Sequence, residues 1–418
     1  MKYMAYKLGL WRSGILAIVF FTYCSPGLKT AVPLPMNSAE NRQSLVPPDR
    51  AKWTWTDRQN SIHTFSQTLN NLQKTMEEYG IMGLSIVLKQ GTKWSQSPNC
   101  YAFELGIENQ ETNKPIDANT VFQADRLGQP IIAYMIMKLV TEEKFDLDRA
   151  LYKYLPKSIP EDNPYHCLLE DPRYKLLTAR NILSHQSGLA TSGSSNKINI
   201  LTFKTSPGKG FLYLDEPYGF LQFVLEQKFG RSFNELANLL VFKPFGMSRT
   251  SFTREPRFEG HIVGEVSAKS DFQSDLYSTY GAFFTNGSDY TRFIWTVRLE
   301  NPGLSYETQM SYIVWPTVTI KSSSIVESSS SYDRSDVPRK LSWSLGWGMY
   351  QIPRVLLGTC SFIGQRSQRL ESYATVYECD KSTAITVFVA NSTQSAITGL
   401  ILRELLGRME TPLKWLCF

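Results

Sequence analysis

Apolar residues recur at helical spacing near the start, in the middle and at the end of this chain, and strand-like runs separate those blocks. Over residues 61–79, Phe65, Leu69, Leu72 and Met76 stand three or four apart, which predicts an amphipathic helix closed by a left-handed Gly80. Residues 83–93 read as strand, tight turn and strand, and residues 101–106 as another strand. From Ile131 the chain carries a long apolar helix pattern to Tyr154, and it stays mainly helical with long loops to about Met247. In that block Ser232 and Glu235 form a capping box, Leu236, Leu239 and Leu240 share one face, and Pro244 is expected to stop the pattern.

The last third is more broken. Residues 260–281 are polar and loop-like, Ser288 and Asp289 cap a short helix through Phe293, and residues 322–336 form a serine-rich solvent loop. Strand patterns return at 343–350, 356–363, 373–379 and 384–390. A final helix over 395–406 turns Ile397, Leu400, Ile401 and Leu405 inward. A helical block set between early and late strands predicts an α/β fold of the α+β type, an antiparallel sheet flanked by helices with an inserted helical subdomain at about 131–250. A cleft between the two parts is the expected site.

Composition narrows the classes. With 42% hydrophobic and 20% charged residues the chain is globular, and 418 residues suffice for a large core. The formal charge of +6 is modest, and Lys2, Lys7 and Arg12 supply part of it, so no nucleic-acid partner is implied. Neither an internal repeat nor a glycine-rich phosphate cradle is present, and no cofactor is implied.

The basic start, the apolar run Ser13 to Tyr23 and the break at Ser25-Pro26-Gly27 predict a signal peptide over residues 1–25. A membrane span takes ~20 apolar residues and this run is about half that. Export to the periplasm or medium with cleavage is expected, and an uncleaved segment anchoring the chain in the membrane is the alternative. Residues 26–60 read as a flexible leader, 61–407 as the domain and 408–418 as a tail. The cysteines have no metal-ligand spacing, so no metal site is expected, although Cys360 and Cys379 could bridge adjacent strands as a disulfide; free thiols are the alternative. Asn286-Gly287-Ser288 and Asn391-Ser392-Thr393 fit the N-glycosylation pattern, and His63, His166 and His261, set among polar residues, are expected at the surface.

The candidate chemistry lies in four blocks. They are Phe122-Gln123-Ala124-Asp125-Arg126-Leu127-Gly128-Gln129-Pro130, Ile182-Leu183-Ser184-His185-Gln186-Ser187-Gly188-Leu189, Pro207-Gly208-Lys209-Gly210-Phe211-Leu212-Tyr213, and Leu345-Gly346-Trp347-Gly348. Their order and context resemble the penicillin-recognising serine hydrolases: class C β-lactamases, D-alanyl-D-alanine carboxypeptidases and related esterases. The resemblance runs over roughly residues 61–407 and implies their fold.

It also implies an acyl-transfer site, and this chain departs from that site at each motif. In the family's S-x-x-K motif a serine at a helix start attacks an acyl carbonyl and a lysine one turn on assists. Arg126 and Gln129 take those places here. A guanidinium neither attacks a carbonyl nor accepts a proton, and an amide has no useful basicity. The second motif keeps its tyrosine as Tyr213 and carries Asp215 two residues on. In the third, Gly364 stands at the basic position and Arg366 at the glycine position. The resemblance therefore implies a degenerate, non-catalytic member that binds a peptide, a cell-wall fragment or a protein partner. Arg126, Tyr213, Arg366 and Arg369 are the candidate ligand-binding residues, Asp125 a candidate ion-pair partner for Arg126, and a hydrolase with relocated residues the alternative.

Overall fold

Residues 52–91, 100–109, 113–192, 200–263, 283–300, 303–313, 315–320, 341–351, 359–366, 372–378, 382–390 and 397–407 are described by the computed structural model. Among the described residues runs one antiparallel sheet of nine strands, in spatial order Val318–Thr319, Leu341–Trp343, Gly348–Gln351, Thr359–Arg366, Ser372–Glu378, Thr383–Ala390, Gly83–Gln90, Cys100–Asn109 and Lys114–Pro115. Late strands thus join early ones through Thr383–Ala390 against Gly83–Gln90. Both strands are buried along nearly their whole length, as continuous apolar runs require when both faces are covered.

One face is covered by α1 (Phe65–Tyr79) and the C-terminal helix Ile397–Leu406, with Leu72, Leu84, Ile86, Val387, Ile401 and Leu405 in that core. The other face carries the helical block. Its elements are α2 (Gly128–Thr141), α3 (Ala179–Leu183), α4 (Glu216–Phe229), α5 (Phe233–Ala237), α6 (Lys243–Phe245), α7 (Gly287–Trp295) and α8 (Tyr306–Ile313). The C-terminal helix is α9. Every residue of α2 from Gly128 to Met137 is buried, the mark of a helix enclosed on all sides. The predicted mixed fold with an inserted helical block is the observed one.

Several local expectations are corrected. The leader does not reach Asn60: the strand Thr54–Thr56 pairs with Ile62–Thr64, Trp53 and Trp55 are buried, and the Trp55 indole donates to the Leu405 carbonyl at 3.0 Å. The domain is therefore already formed at Lys52. Residues 62–64 are strand, and α1 starts after Thr64, whose hydroxyl accepts from the Gln67 amide. Pro244 does not stop the helical pattern, because it sits in the first turn of α6. A π-turn over Asn238–Phe242 precedes it and rotates the face, leaving Leu239 exposed while Leu236 is buried. The strand expected at 343–350 is two strands joined by a turn at Leu345 and Gly346. Leu400, assigned to the inner face of α9, is partly exposed at 38%.

The N-cap of α7 is Asn286 rather than Ser288. Its carboxamide accepts from the Asp289 amide at 2.8 Å, donates to the Ala118 carbonyl at 2.7 Å, and is buried. A glycan cannot be carried there in the folded chain. Asn391, Cys379, Arg369 and the serine-rich stretch lie outside the described residues, and so do residues 1–51 with the expected signal peptide. Among the described residues no helix is long and apolar enough to cross a membrane.

Candidate functional site

The entry into α2 is fixed from three sides. The Ala124 amide donates to the Phe283 carbonyl at 2.7 Å, the Tyr290 hydroxyl donates to the Leu127 carbonyl at 2.7 Å, and the Tyr312 hydroxyl to that of Pro130 at 2.6 Å. Asp125–Leu127 is a tight 3₁₀ turn leading into the helix. Arg126 and Gln129, three apart, therefore project toward the same neighbours.

Those neighbours come from the second block and from the third with the residues just after it, and the fourth block packs against α2 beside them. The Gly346 amide donates to the Leu183 carbonyl at 2.9 Å, and the Tyr218 hydroxyl donates to the same oxygen at 3.2 Å. Gly346 has φ of 80°, and a Cβ there would lie 2.9 Å from the Ala133 methyl and 3.0 Å from the Gln129 carbonyl, so only glycine fits against α2. The Leu212 amide donates to the His185 carbonyl at 2.8 Å, which brings Tyr213 and Asp215 beside His185. The strand Thr359–Arg366 packs against the 3₁₀ turn that holds Arg126. It is hydrogen-bonded on both sides, to Gly348–Gln351 and to Ser372–Glu378, so it is an internal strand. Gly364 pairs with Ala374 and Arg366 with Ser372.

At the centre is a charged network. Arg126 Nε donates to Asp215 Oδ2 at 2.5 Å, and Gln129 Nε2 donates to Asp215 Oδ1 at 2.7 Å, so both carboxylate oxygens are engaged. The Gln129 amide oxygen faces His185 Nε2 at 3.3 Å, and His185 Nδ1 accepts from the Leu214 amide at 3.3 Å. Because Gln129 turns its NH₂ to the carboxylate, its oxygen must accept, which assigns the imidazole proton to Nε2. Burial and the nearby Arg126 charge push His185 down to about 3, so the ring is neutral. Burial pushes the Asp215 carboxyl up, and Arg126 and Gln129 oppose that rise.

An aromatic wall backs the network. The Arg126 guanidinium lies 5.0 Å from the centroid of the Tyr213 ring, which packs on His185 at 4.3 Å and edge-on to Trp343 at 5.3 Å. The expected pairing of Arg126 with its neighbour Asp125 is replaced by one with Asp215, 89 residues on. In the chemistry of these four groups, no hydroxyl, thiol or amine stands at the helix start. The guanidinium is always protonated, the amide is inert, and the imidazole is neutral with both nitrogens bonded.

Among the described residues, the serine hydroxyls beside His185 do not fill the gap. Ser187 Oγ accepts from the Leu189 amide at 3.2 Å, and Ser184 Oγ donates to the Arg180 carbonyl at 2.7 Å, so both hold turns, and neither bonds to His185. Of the other histidines expected at the surface, each is half-buried and bonded. His63 Nε2 lies 3.1 Å from Asp57 Oδ2 and stacks on Trp55, His166 Nδ1 donates to the Ile159 carbonyl at 2.9 Å, and His261 Nδ1 lies 2.8 Å from Lys114 Nζ. Glu108, Asp117 and His261 have ligand atoms within 4.8 Å of one another, but the Lys114 ammonium, 3.3 Å from Glu108, already supplies a cation there. The side chains of Arg366 and Cys360 and the whole of Arg369 and Cys379 are outside the described residues, so the geometry of three converging arginines and of the disulfide is not described.

Comparison with known proteins agrees with this fold. The β-lactamase family model matches residues 69–353, about two thirds of the chain and including the first two motif regions. The chain belongs to the β-lactamase family. It is 24% identical over 261 residues to esterase EstB of Burkholderia gladioli, a match covering 50% of this chain and 64% of the esterase, so it spans just under two thirds of that relative. Among solved structures it is similar to a β-lactamase/D-alanine carboxypeptidase from Pseudomonas syringae, with TM-score 0.63, 13% identity, and 82% of this chain and 99% of that one covered. It is also similar to the D-alanine carboxypeptidase AmpC from Burkholderia cenocepacia, with TM-score 0.61, 14% identity, and the same 82% and 99% coverage. At such identities the structural likeness speaks for the fold alone.

The reading of the sequence missed one partnership. Asp215 was recognised as a changed motif position, yet its role as counter-ion to Arg126 was not. The signal was present as two complementary charges, the cation Arg126 in the first block and the anion Asp215 two residues beyond the third.

Proposed function

We propose that this chain is an exported, non-catalytic binding member of the β-lactamase family. The reading rests on one observation above all: Arg126, Gln129, Asp215 and His185 form a mutually satisfied network at the start of α2, where acyl transfer requires a hydroxyl and a proximal base. Losing one member of such a catalytic unit in a serine protease costs on the order of 10⁴- to 10⁶-fold in rate. Export is supported by the apolar run from Ser13 to Tyr23 after a basic start. The ligand class we favour is a peptide or cell-wall fragment bearing a carboxylate, met by Arg126 and Tyr213 from the cleft, with Arg366 and Arg369 as further candidates.

The test is labelling of the mature protein with a fluorophosphonate and a fluorescent penicillin, alongside nitrocefin and p-nitrophenyl ester assays. No covalent adduct and no turnover above background are expected. A stoichiometric adduct on a serine, with hydrolysis at enzyme-like rates, would overturn the proposal in favour of a divergent hydrolase.

A further inference from the structure

At the far end of α2 from Arg126 lies a groove of about 740 Å³ that the motif site does not use. Its walls come from the last turns of α2, the segment Glu143 to Arg149, Tyr154, the end of α4 and the start of α8. The volume is that of a small-molecule site.

The groove's cations differ in how they are held. Arg180 makes two bonds to Asp148, at 2.6 and 2.8 Å, and Lys144 pairs with Glu142 at 2.8 Å. Arg149 and Lys228 have no carboxylate at ion-pair distance among the described residues. Both instead lie against one ring, Arg149 at 5.1 Å and Lys228 at 4.7 Å from the centroid of Tyr154. That ring is itself fixed, stacked on Phe145 at 4.6 Å, with its hydroxyl accepting from the Asp146 amide at 2.9 Å.

Standing 5.1 and 4.7 Å from one centroid, the two cations are at most about 10 Å apart, and the ring's quadrupole offsets only part of the cost of holding like charges within that distance. Lys228 also stands in the last turn of α4, where the helix dipole favours a cation, but this accounts for neither Arg149 nor the convergence. An anion bridging the two would relieve the repulsion and supply the missing charge-assisted hydrogen bonds. Exposed Glu143, Asp146 and Glu307 also line the groove, and they select against ligands of high negative charge.

We infer that this groove is a binding site for a small anionic ligand bearing a carboxylate or a phosphate, held between Arg149 and Lys228. The inference does not depend on the fate of the motif site. Titration calorimetry of the full mature chain at constant ionic strength, with inorganic phosphate and with succinate, tests it and separates the two sources. One saturable site for at least one probe is expected, weakened roughly tenfold by Arg149→Gln or by Lys228→Gln, the effect of losing one charge-assisted bond. The double variant should abolish binding. Both substitutions are at groove-facing side chains outside the core, and circular dichroism establishes that the variants fold. Absence of saturable binding with either probe, or binding unchanged in the double variant, overturns the inference.

Discussion

Removing Arg126 while leaving Asp215 in place is the sharpest perturbation of the network. The Arg126 side chain is 18% exposed and that of Asp215 is 6% exposed, so Arg126→Ala strands a carboxylate that water barely reaches. Breaking a buried pair from one side costs ~3–5 kcal/mol. The partial exposure of the arginine places the expected loss near the lower figure, at about 3 kcal/mol. Asp215→Asn removes the negative charge from the contact with the better-solvated Arg126 and should cost about 1–2 kcal/mol. The double variant Arg126→Ala with Asp215→Asn has no stranded charge, so it should be more stable than Arg126→Ala alone. Urea unfolding followed by circular dichroism and tryptophan fluorescence gives the cycle, with coincident transitions as the condition for using it. A coupling of about 1–3 kcal/mol is expected. Single effects that add to within about 0.5 kcal/mol would refute the claim that these residues act as a unit.

Three further outcomes follow from individual sites. Because the folded state holds His185 at about 3 against an ordinary 6.5, the unfolded chain takes up a proton that the folded chain refuses. Stability should therefore fall as pH drops from 6.5 toward 3, at about 1.4 kcal/mol per unit, and His185→Gln should flatten that slope in urea titrations at stepped pH. Asn286→Ala should cost about 1 kcal/mol through loss of the α7 cap, and mass spectrometry of material from a glycosylating host should find Asn286 bare. Gly346→Ala should lower stability by about 2–4 kcal/mol, from a positive φ and from a methyl driven into Ala133 and Gln129, read as a thermal shift of about 1–2 °C per kcal/mol; an unchanged melting temperature would contradict the close approach to α2.

The fold was legible wherever a periodic pattern met a specific stop signal. Gly80 closes α1 in the left-handed conformation as expected, and the Ser232 and Glu235 box forms at both of its hydrogen bonds. The continuous apolar run of Thr383–Ala390 gave a strand that is buried throughout. Failures occurred where tertiary context changed the phase. A π-turn cannot be read from single-residue preferences, so Leu239 was placed inward. Polar composition around residues 26–60 hid the alternation of Trp53 and Trp55, which depends for its meaning on the Leu405 carbonyl some 350 residues away. At the site the sequence exposed that Arg126 and Gln129 stand where the resembled motif has serine and lysine, since chemistry depends on residue type. It did not expose what they bind, since Asp215 becomes a partner only through a long-range contact.

That contact bears on whether a serine in place of Arg126 alone would confer acyl transfer. With serine there, Asp215 would be left buried without its cation, and Gln129 would still supply no proton acceptor. His185 would remain neutral, and its Nε2 proton would remain directed at the Gln129 oxygen. Arg126→Ser should therefore lose stability and gain no hydrolysis, because the charge of Arg126 is balanced by that of Asp215. Only joint change at Arg126, Gln129 and Asp215 removes the stranded carboxylate and supplies a hydroxyl with an amine beside it. If Arg126→Ser alone produced burst-phase acylation by nitrocefin, the interdependence of the three positions would be wrong.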